Sequence, residues 1–323
     1  MRIIEPVEIT PSMAVMGAFL VEPNAEPLVV QVGQAFQVAS MLTNVPEADY
    51  PLWVPTTAYA VGVVVMFEHR NYEALVENTN KIPTGVATDP PTWLDLGPTN
   101  RWRMFDDKIG TVTSNPESID LTIAPGRAVD SLAFFGLDAA SIYVRVVDPY
   151  QGIVYESVVS PVSTDGINDW YDYFFSPVEV NEDFVLLGLP AGSYGSIEIK
   201  IAKPGGIAKV GALILGKAAV LGEALYGTSV GITDYSRKER DTFGNMIIVE
   251  RGYSKRAEFD VIVQTSMVSQ VQRLLSKYRA KPLVWIGEAS VQSTILYGYY
   301  KEFNLVISGP TASDCSISVE GLI

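Results

Sequence analysis

The apolar residues of this chain alternate rather than recur every third or fourth position, and that period constrains the fold most. SIYVRVV (Ser141–Val147) puts Ile142, Val144 and Val146 on one face. IVYESVV (Ile153–Val159) and SIEIKIA (Ser196–Ala202) alternate likewise. A period of two is the signature of half-buried strands. DPYQG, PAGSYG and KPGG supply turn residues between such runs. Strands about ten residues apart point to an antiparallel sandwich, jelly-roll-like, over 109–222. The reading is a mainly β, multi-domain chain.

One stretch breaks the period. Between Ser266 and Arg279, Val268, Val271, Leu274, Leu275 and Tyr278 recur at helical spacing, with polar residues between them. Thr265 or Ser266 can cap this helix and Pro282 stops it. MIIVERGY (246–253) and AEFDVIV (257–263) precede it as strands. PLVWIG, STILYGYY, FNLVIS and SISVEGLI follow, so 223–323 reads as a β-rich domain with one helix.

The first 50 residues mix short apolar runs with Pro and Gly, and read as a β segment. Met13–Val21 reads as a buried strand, not as a secretory signal, because no small-x-small cleavage site follows it. Asn44–Pro51 reads as a linker. No stretch is apolar enough for a membrane span: Gly206–Gly222 carries Lys209 and Lys217.

Composition narrows the chemistry. The 323 residues are 48% apolar, enough for a core and too apolar for disorder. With 23 basic and 37 acidic residues the net charge is −14, which repels a phosphate backbone, so nucleic acid is not expected as the main partner. Cys315 and His69 are the only residues of their types. They exclude a disulfide framework and a Cys/His zinc site, and no metal or cofactor is expected. No nucleophile motif lies near His69, and no hydrolase motif surrounds the pairs Asp106–Asp107 or Asp169–Asp172. The chain is not expected to be an enzyme. A secreted glycan-degrading enzyme ranks last among the readings.

Residues 51–108 are distinct. They hold three of the five tryptophans, Trp53, Trp93 and Trp102. The skeleton W-x5-Y-x2-G (Trp53, Tyr59, Gly62), followed by Tyr72, Ala74, Asn78, Pro83, Asp89, Trp93 and Gly97, resembles the carbohydrate-binding modules of families five and twelve, although Val63 stands where those modules usually carry an acid. The resemblance implies rings that stack on sugar faces, and Trp53, Tyr72 and Trp93 are the candidates. The same rings are also material for the core of a small connector module.

Longer motifs run through the rest of the chain. GPTNRWRMFDDKIGT (97–111), WYDYFF (170–175), DYSRKERDTFGN (234–245), ERGYSKRAEFDVIV (250–263) and YGYYKEF (297–303) occur in the order of a family of phage-encoded virion proteins found in tail gene clusters, which the chain resembles over its first ten residues and from about Leu42 to the C-terminus. Residues 12–40 look like an insertion relative to that family. The C-terminal strand and helix order also resembles the tail-tube-like domains of distal tail proteins. These resemblances imply a structural component of a phage tail or baseplate. They also imply a virion location, other tail proteins as partners, a symmetric homo-oligomer and contact with host-surface polysaccharide through 51–108. A dedicated glycan-binding adhesin is the alternative.

Two clusters remain open between roles. Asn100, Arg101, Asp106 and Asp107 straddle module and sandwich, as a salt-bridged hinge or a contact with another subunit. Arg237, Lys238, Arg240, Arg251, Lys255 and Arg256 gather six of the 23 basic residues around a TFGN turn, interleaved with Glu239, Asp241 and Glu250. They form a self-paired hairpin or an inter-subunit contact with an acidic neighbour. WYDYFF reads as a strand with aromatics on both faces, one of them core.

Overall fold

The computed structural model describes residues 1–11, 14–15, 44–83, 91–163, 167, 169–175, 180–192, 195–240 and 242–323. The strands expected in Met13–Val21 beyond Ala14–Val15, the strand expected at LVVQV, the role of residues 12–40, and the positions of Asp89 and Asp241 lie outside the described residues.

The chain is mainly β. Strands β1 (Arg2–Pro6) and β2 (Ala14–Val15) open it. The aromatic-rich stretch forms β3 (Ala58–Tyr59), β4 (Val64–Phe67), β5 (Arg70–Ala74), β6 (Asn78–Thr79) and β7 (Trp93–Pro98). Next come β8 (Thr113–Ile123), β9 (Val129–Phe135), β10 (Ser141–Asp148), β11 (Gly152–Val159), helix α1 (Trp170–Phe175), β12 (Phe184–Ala191), β13 (Ser196–Val210) and β14 (Ala212–Val220). The last third holds β15 (Glu223–Ala224), β16 (Ser229–Asp234), β17 (Arg237–Arg240), β18 (Met246–Val249), β19 (Tyr253–Gln264), helix α2 (Val268–Lys277), β20 (Leu283–Ile286), β21 (Ile295–Val306) and β22 (Ala312–Gly321).

A five-stranded sheet, in the order β11-β10-β13-β8-β2, faces part of a ten-stranded one. Alternation builds the core between them. Ile119, Leu121 and Ile123 of β8, Ile142, Val144 and Val146 of β10, and Ile197, Ile199 and Ile201 of β13 meet Leu132 and Phe134 of β9 and Leu213 and Leu215 of β14. This is sheet-on-sheet packing, with the outer face of the five-stranded sheet polar, as at Arg145, Glu198 and Lys200.

The large sheet runs β12-β9-β14-β1-β20-β21-β22-β19-β15, with β16 also on β19. Its central strands read as unbroken apolar runs, LAFF, ALIL and LVWI, because both of their faces are buried. Leu283 and Trp285 enter one core, and Val284 and Ile286 another. The seam is β1, antiparallel to β14 on one side and to β20 on the other. The sheet therefore continues across the 222/223 boundary drawn from the sequence. At this seam Gly216 lies against Glu5, where a Cβ would come 2.1 Å from the Glu5 carbonyl oxygen and 2.6 Å from Ile4 Cγ2. Gly216→Ala must therefore push β1 off β14. It is expected to destabilise the chain by ~1–3 kcal/mol in urea titration. Gly206→Ala, whose Cβ meets only the flexible Lys203 side chain, serves as the control. Equal midpoints for the two variants would show that the seam yields without loss.

Helix α2 packs Val271 and Leu275 into the core beneath β19, β20 and β22, beside Phe259, Trp285 and Ile317. Its start differs from expectation. Thr265–Met267 form a 3-10 turn with no side-chain cap, and the Thr265 hydroxyl donates to the Gly309 carbonyl instead, at 2.9 Å. Cys315 is buried in the same core, and desolvation pushes its thiol from 9.0 up to about 11. The fold thus holds this proton more tightly than the unfolded chain does. The stability linked to it is fully present below pH 9.0 and is lost as pH rises towards 11. Cys315 is expected to resist iodoacetamide at neutral pH until the chain is unfolded, and fast native-state labelling, read by mass spectrometry, would contradict this burial.

Four local readings change. WYDYFF is the six-residue helix α1, not a strand, and none of its side chains is buried. Rows of i,i+4 rings, Trp170 on Phe174 and Tyr171 on Phe175, replace alternation. KPGG lies inside β13 as a bulge between Lys203 and Ile207, with Gly205 at φ +72°, rather than as a turn. STILYGYY and FNLVIS join in the single strand β21, irregular between Tyr300 and Glu302. MIIVERGY is divided: β18 ends at Val249 and β19 begins at Tyr253.

Candidate functional site

The module folds around its rings. Strands β4, β5 and β7 form a three-stranded sheet, and Tyr59, Val65, Tyr72, Ala74 and Trp93 make its core, with Trp53 and Phe67 against it. Tyr72 is 5% exposed and Trp93 8%. Trp93 donates its indole N–H to the Lys81 carbonyl at 3.0 Å and meets Tyr59 edge-on at 5.5 Å. Trp53 is half-buried and packs edge-on to Phe67. The expectation of open ring faces for a sugar is therefore corrected at two of the three candidates: Tyr72 and Trp93 face inward, while Trp53 stays partly exposed. A unit this small fills its interior with its largest side chains. The surface of β7 presents Leu94 and Leu96 instead.

The junction between module and sandwich is built on two carboxylates that sequence reasoning passed over. Glu47 accepts from Thr99 Oγ1 at 2.8 Å, lies 2.9 Å from His69 Nδ1 and 3.5 Å from Arg101. Asp49 accepts from the Asn100 backbone N–H at 2.9 Å and lies 3.4 Å from Arg103. Asn100 exchanges two hydrogen bonds with the Ser114 backbone on β8, at 2.9 and 3.0 Å. Asn44 reaches Ser118 and Asp120 on the same strand. Residues 44–49 are thus a strap that pins the module, rather than a free linker. Asp107 accepts from the Tyr297 hydroxyl at 2.9 Å, and burial together with Asp107 pushes that phenol upward. The structure brings Asn100 and Arg101 together with Glu47 and Asp49. Asp106 instead closes a local turn through Lys108 and Thr111.

The basic cluster forms an arm. Strands β17 and β18 pair Arg237 with Val249 through Arg240 with Met246, and TFGN makes the turn at their end. Every residue of both strands is exposed. At the base, Asp234 accepts from Lys238 Nζ at 2.6 Å and from the Ser236 backbone, which together hold its carboxyl well below the usual range. The Arg251 backbone N–H donates to Ser236 Oγ at 3.1 Å, and the Tyr235 hydroxyl donates to Glu320 at 2.7 Å.

The six cations fall into distinct places. Arg237 pairs with Glu239 along its own strand, and Lys238 with Asp234. Arg240 and Arg251 are exposed and take part in no ion pair among the described residues. Arg256 is exposed on β19, opposite Glu320 on β22. Lys255 turns inward to Asp183, whose own carboxyl is pushed upward by burial against the pull of Lys255. Lys255 is a structural pair and not part of the arm's surface. β18 places Met246, Ile247, Ile248 and Val249 in water, with Ile248 64% exposed. Charge patterning revealed the cations, but this apolar strand beside them reads from sequence as ordinary core.

Among the described residues no group of three or more His, Cys, Asp and Glu is placed to hold a metal ion. Nor is any helix among them long and apolar enough to cross a membrane. No protein-family model matches the chain, and no curated protein is significantly similar to it.

Proposed function

We propose that the chain is a structural component of a bacteriophage tail, tail tip or baseplate, built in several symmetric copies. The observation that carries the reading is the arm. Its eight strand residues are all exposed, four of them apolar in sequence, and an isolated two-stranded hairpin is marginal in water. Exposed apolar runs of this kind belong to contacts. The ordered motifs from GPTNRWRMFDDKIGT to YGYYKEF supply the phage assignment, and the strapped module fits a connector role. An antibody against the chain is expected to label one end of the tail on particles of the phage that encodes it, by electron microscopy. Particles that lack the protein would end this reading.

A second reading, host-glycan contact, is favoured by α1 rather than by the module. Trp170, Tyr171, Tyr173, Phe174 and Phe175 are 63–78% exposed and touch one another instead of a core. Exposed rings next to Asp169 and Asp172 suit the apolar and hydroxyl faces of a sugar. Trp170→Ala should weaken binding to host polysaccharide in a pull-down while Trp93→Phe does not. Equal binding by the two would remove α1 from the reading.

A further inference from the structure

The arm has a candidate seat elsewhere on the same chain. One face of the β21-β22-β19 sheet carries α2 and its core; the opposite face is buried at Tyr297, Ser254 and Glu320 and exposed further along the strands. On that exposed part Glu258 and Asp260 of β19, Asp314 of β22 and Glu302 of β21 all reach solvent. The register clusters them: Glu258 and Glu302 flank Ser318 from either side, and Asp260 lies opposite Ser316, two residues from Asp314. None of the four takes part in an ion pair among the described residues. Like charges on neighbouring strands repel one another, and Arg256, two residues before Glu258 on the same face of β19, is an exposed cation beside them.

The arm is their complement. The arm, residues 237–251, holds four basic and three acidic residues, which leaves 19 basic and 34 acidic residues for the rest of the chain. Arg240 and Arg251 stand without ion pairs among the described residues, as the four carboxylates do. All eight strand residues of the arm are exposed, so it does not fold back onto its own sheet. We propose that the arm of one copy lies on the carboxylate face of a second copy. The proposal rests on the reading of the chain as a component present in several copies, and adds which surface receives the arm. Arm and seat are different patches, so the contact repeats head-to-tail as a ring or filament, or is exchanged reciprocally in a two-fold dimer. A nucleic acid or anionic bilayer would match the cations. It would leave the carboxylate face unmatched and would be repelled by the rest of the chain.

Sedimentation velocity of the full chain at low and high salt tests this. Wild type is expected to self-associate, and less so as salt screens the contact. Arg240→Glu with Arg251→Glu should weaken association about tenfold or more, and so should Glu258→Lys with Asp260→Lys. All four sites are exposed, so circular dichroism should show unchanged folding. The decisive sample is the mixture. Each variant repels itself, but the reversed arm of one fits the reversed face of the other, so mixing them should restore assembly. Failure of the mixture to assemble, a wild type that stays monomeric, or an arm that is needed for retention on duplex DNA but not for self-association would each overturn the proposal. Particle labelling is a separate measurement. A chain that is found on particles but is monomeric in solution removes only this contact, and a chain that assembles but is absent from particles removes only the phage assignment.

Discussion

Trp285→Ala is expected to lower stability by ~3–5 kcal/mol. Trp285 is the largest of the fully buried side chains. It lies on β20, opposite Ile3 of β1 and Leu296 of β21, so its ring fills the core where the seam strand meets the C-terminal sheet. Tyr300 meets it edge-on at 6.1 Å. Its indole N–H donates to the Gly298 carbonyl at 3.0 Å, and alanine would leave that carbonyl without this donor inside the core. Two losses therefore combine, a cavity among rigid strands and a broken buried hydrogen bond. Trp285→Phe keeps much of the volume and loses the hydrogen bond, so it should fall between wild type and alanine. Urea denaturation followed by circular dichroism gives the order. If alanine and phenylalanine had the same midpoint, the lost hydrogen bond rather than the cavity would set the cost.

The same residue shows what the sequence could and could not disclose. PLVWIG reads at once as a strand, because a short apolar run between turn signals has few other options. Nothing in those six residues says that β1, almost three hundred positions earlier, is the neighbour. That pairing is a property of the sheet, and local periodicity cannot report it. The helix at Val268–Lys277 was legible for the opposite reason, since its stripe is contained in one stretch of chain. WYDYFF misled because aromatic residues favour strands, and six residues are too few for either period to assert itself. KPGG misled because glycine serves bulges as readily as turns.

The candidate sites divide along the same line. The cations of the arm are a local charge pattern and could be found by counting. Their pairing could not: Lys255 looks like its neighbours in sequence, yet it reaches Asp183, 72 residues away, in the interior. Glu258 and Asp260 alternate on one strand and can be read together, but Asp314 and Glu302 come from two other strands, so only the register adds them to the face. Glu47 and Asp49 sit in a stretch that composition marks as a linker. Their role emerges only when Thr99, Asn100 and Arg101 are folded back against them.

Trp93→Ala is expected to unfold the module while leaving the rest of the chain intact. The buried core of the module is five side chains, and Trp93 is the largest of them. Removing it should cost ~3–5 kcal/mol, more than a unit with so small a core holds in reserve. The Lys81 carbonyl would lose its indole donor and Tyr59 its edge-on partner in the same step. The damage should stay local, because the three large cores lie outside residues 51–98 and the module joins them through the strap and the residues after β7. Limited proteolysis with mass spectrometry separates local from global loss. Cleavage should concentrate between residues 51 and 98, while fragments from the sandwich and the C-terminal sheet persist. A ring placed for stacking on sugar would behave differently: its removal would leave the module as protease-resistant as before and alter only binding. Unchanged resistance of Trp93→Ala would therefore return Trp93 to the surface and reopen the sugar-stacking reading of the module.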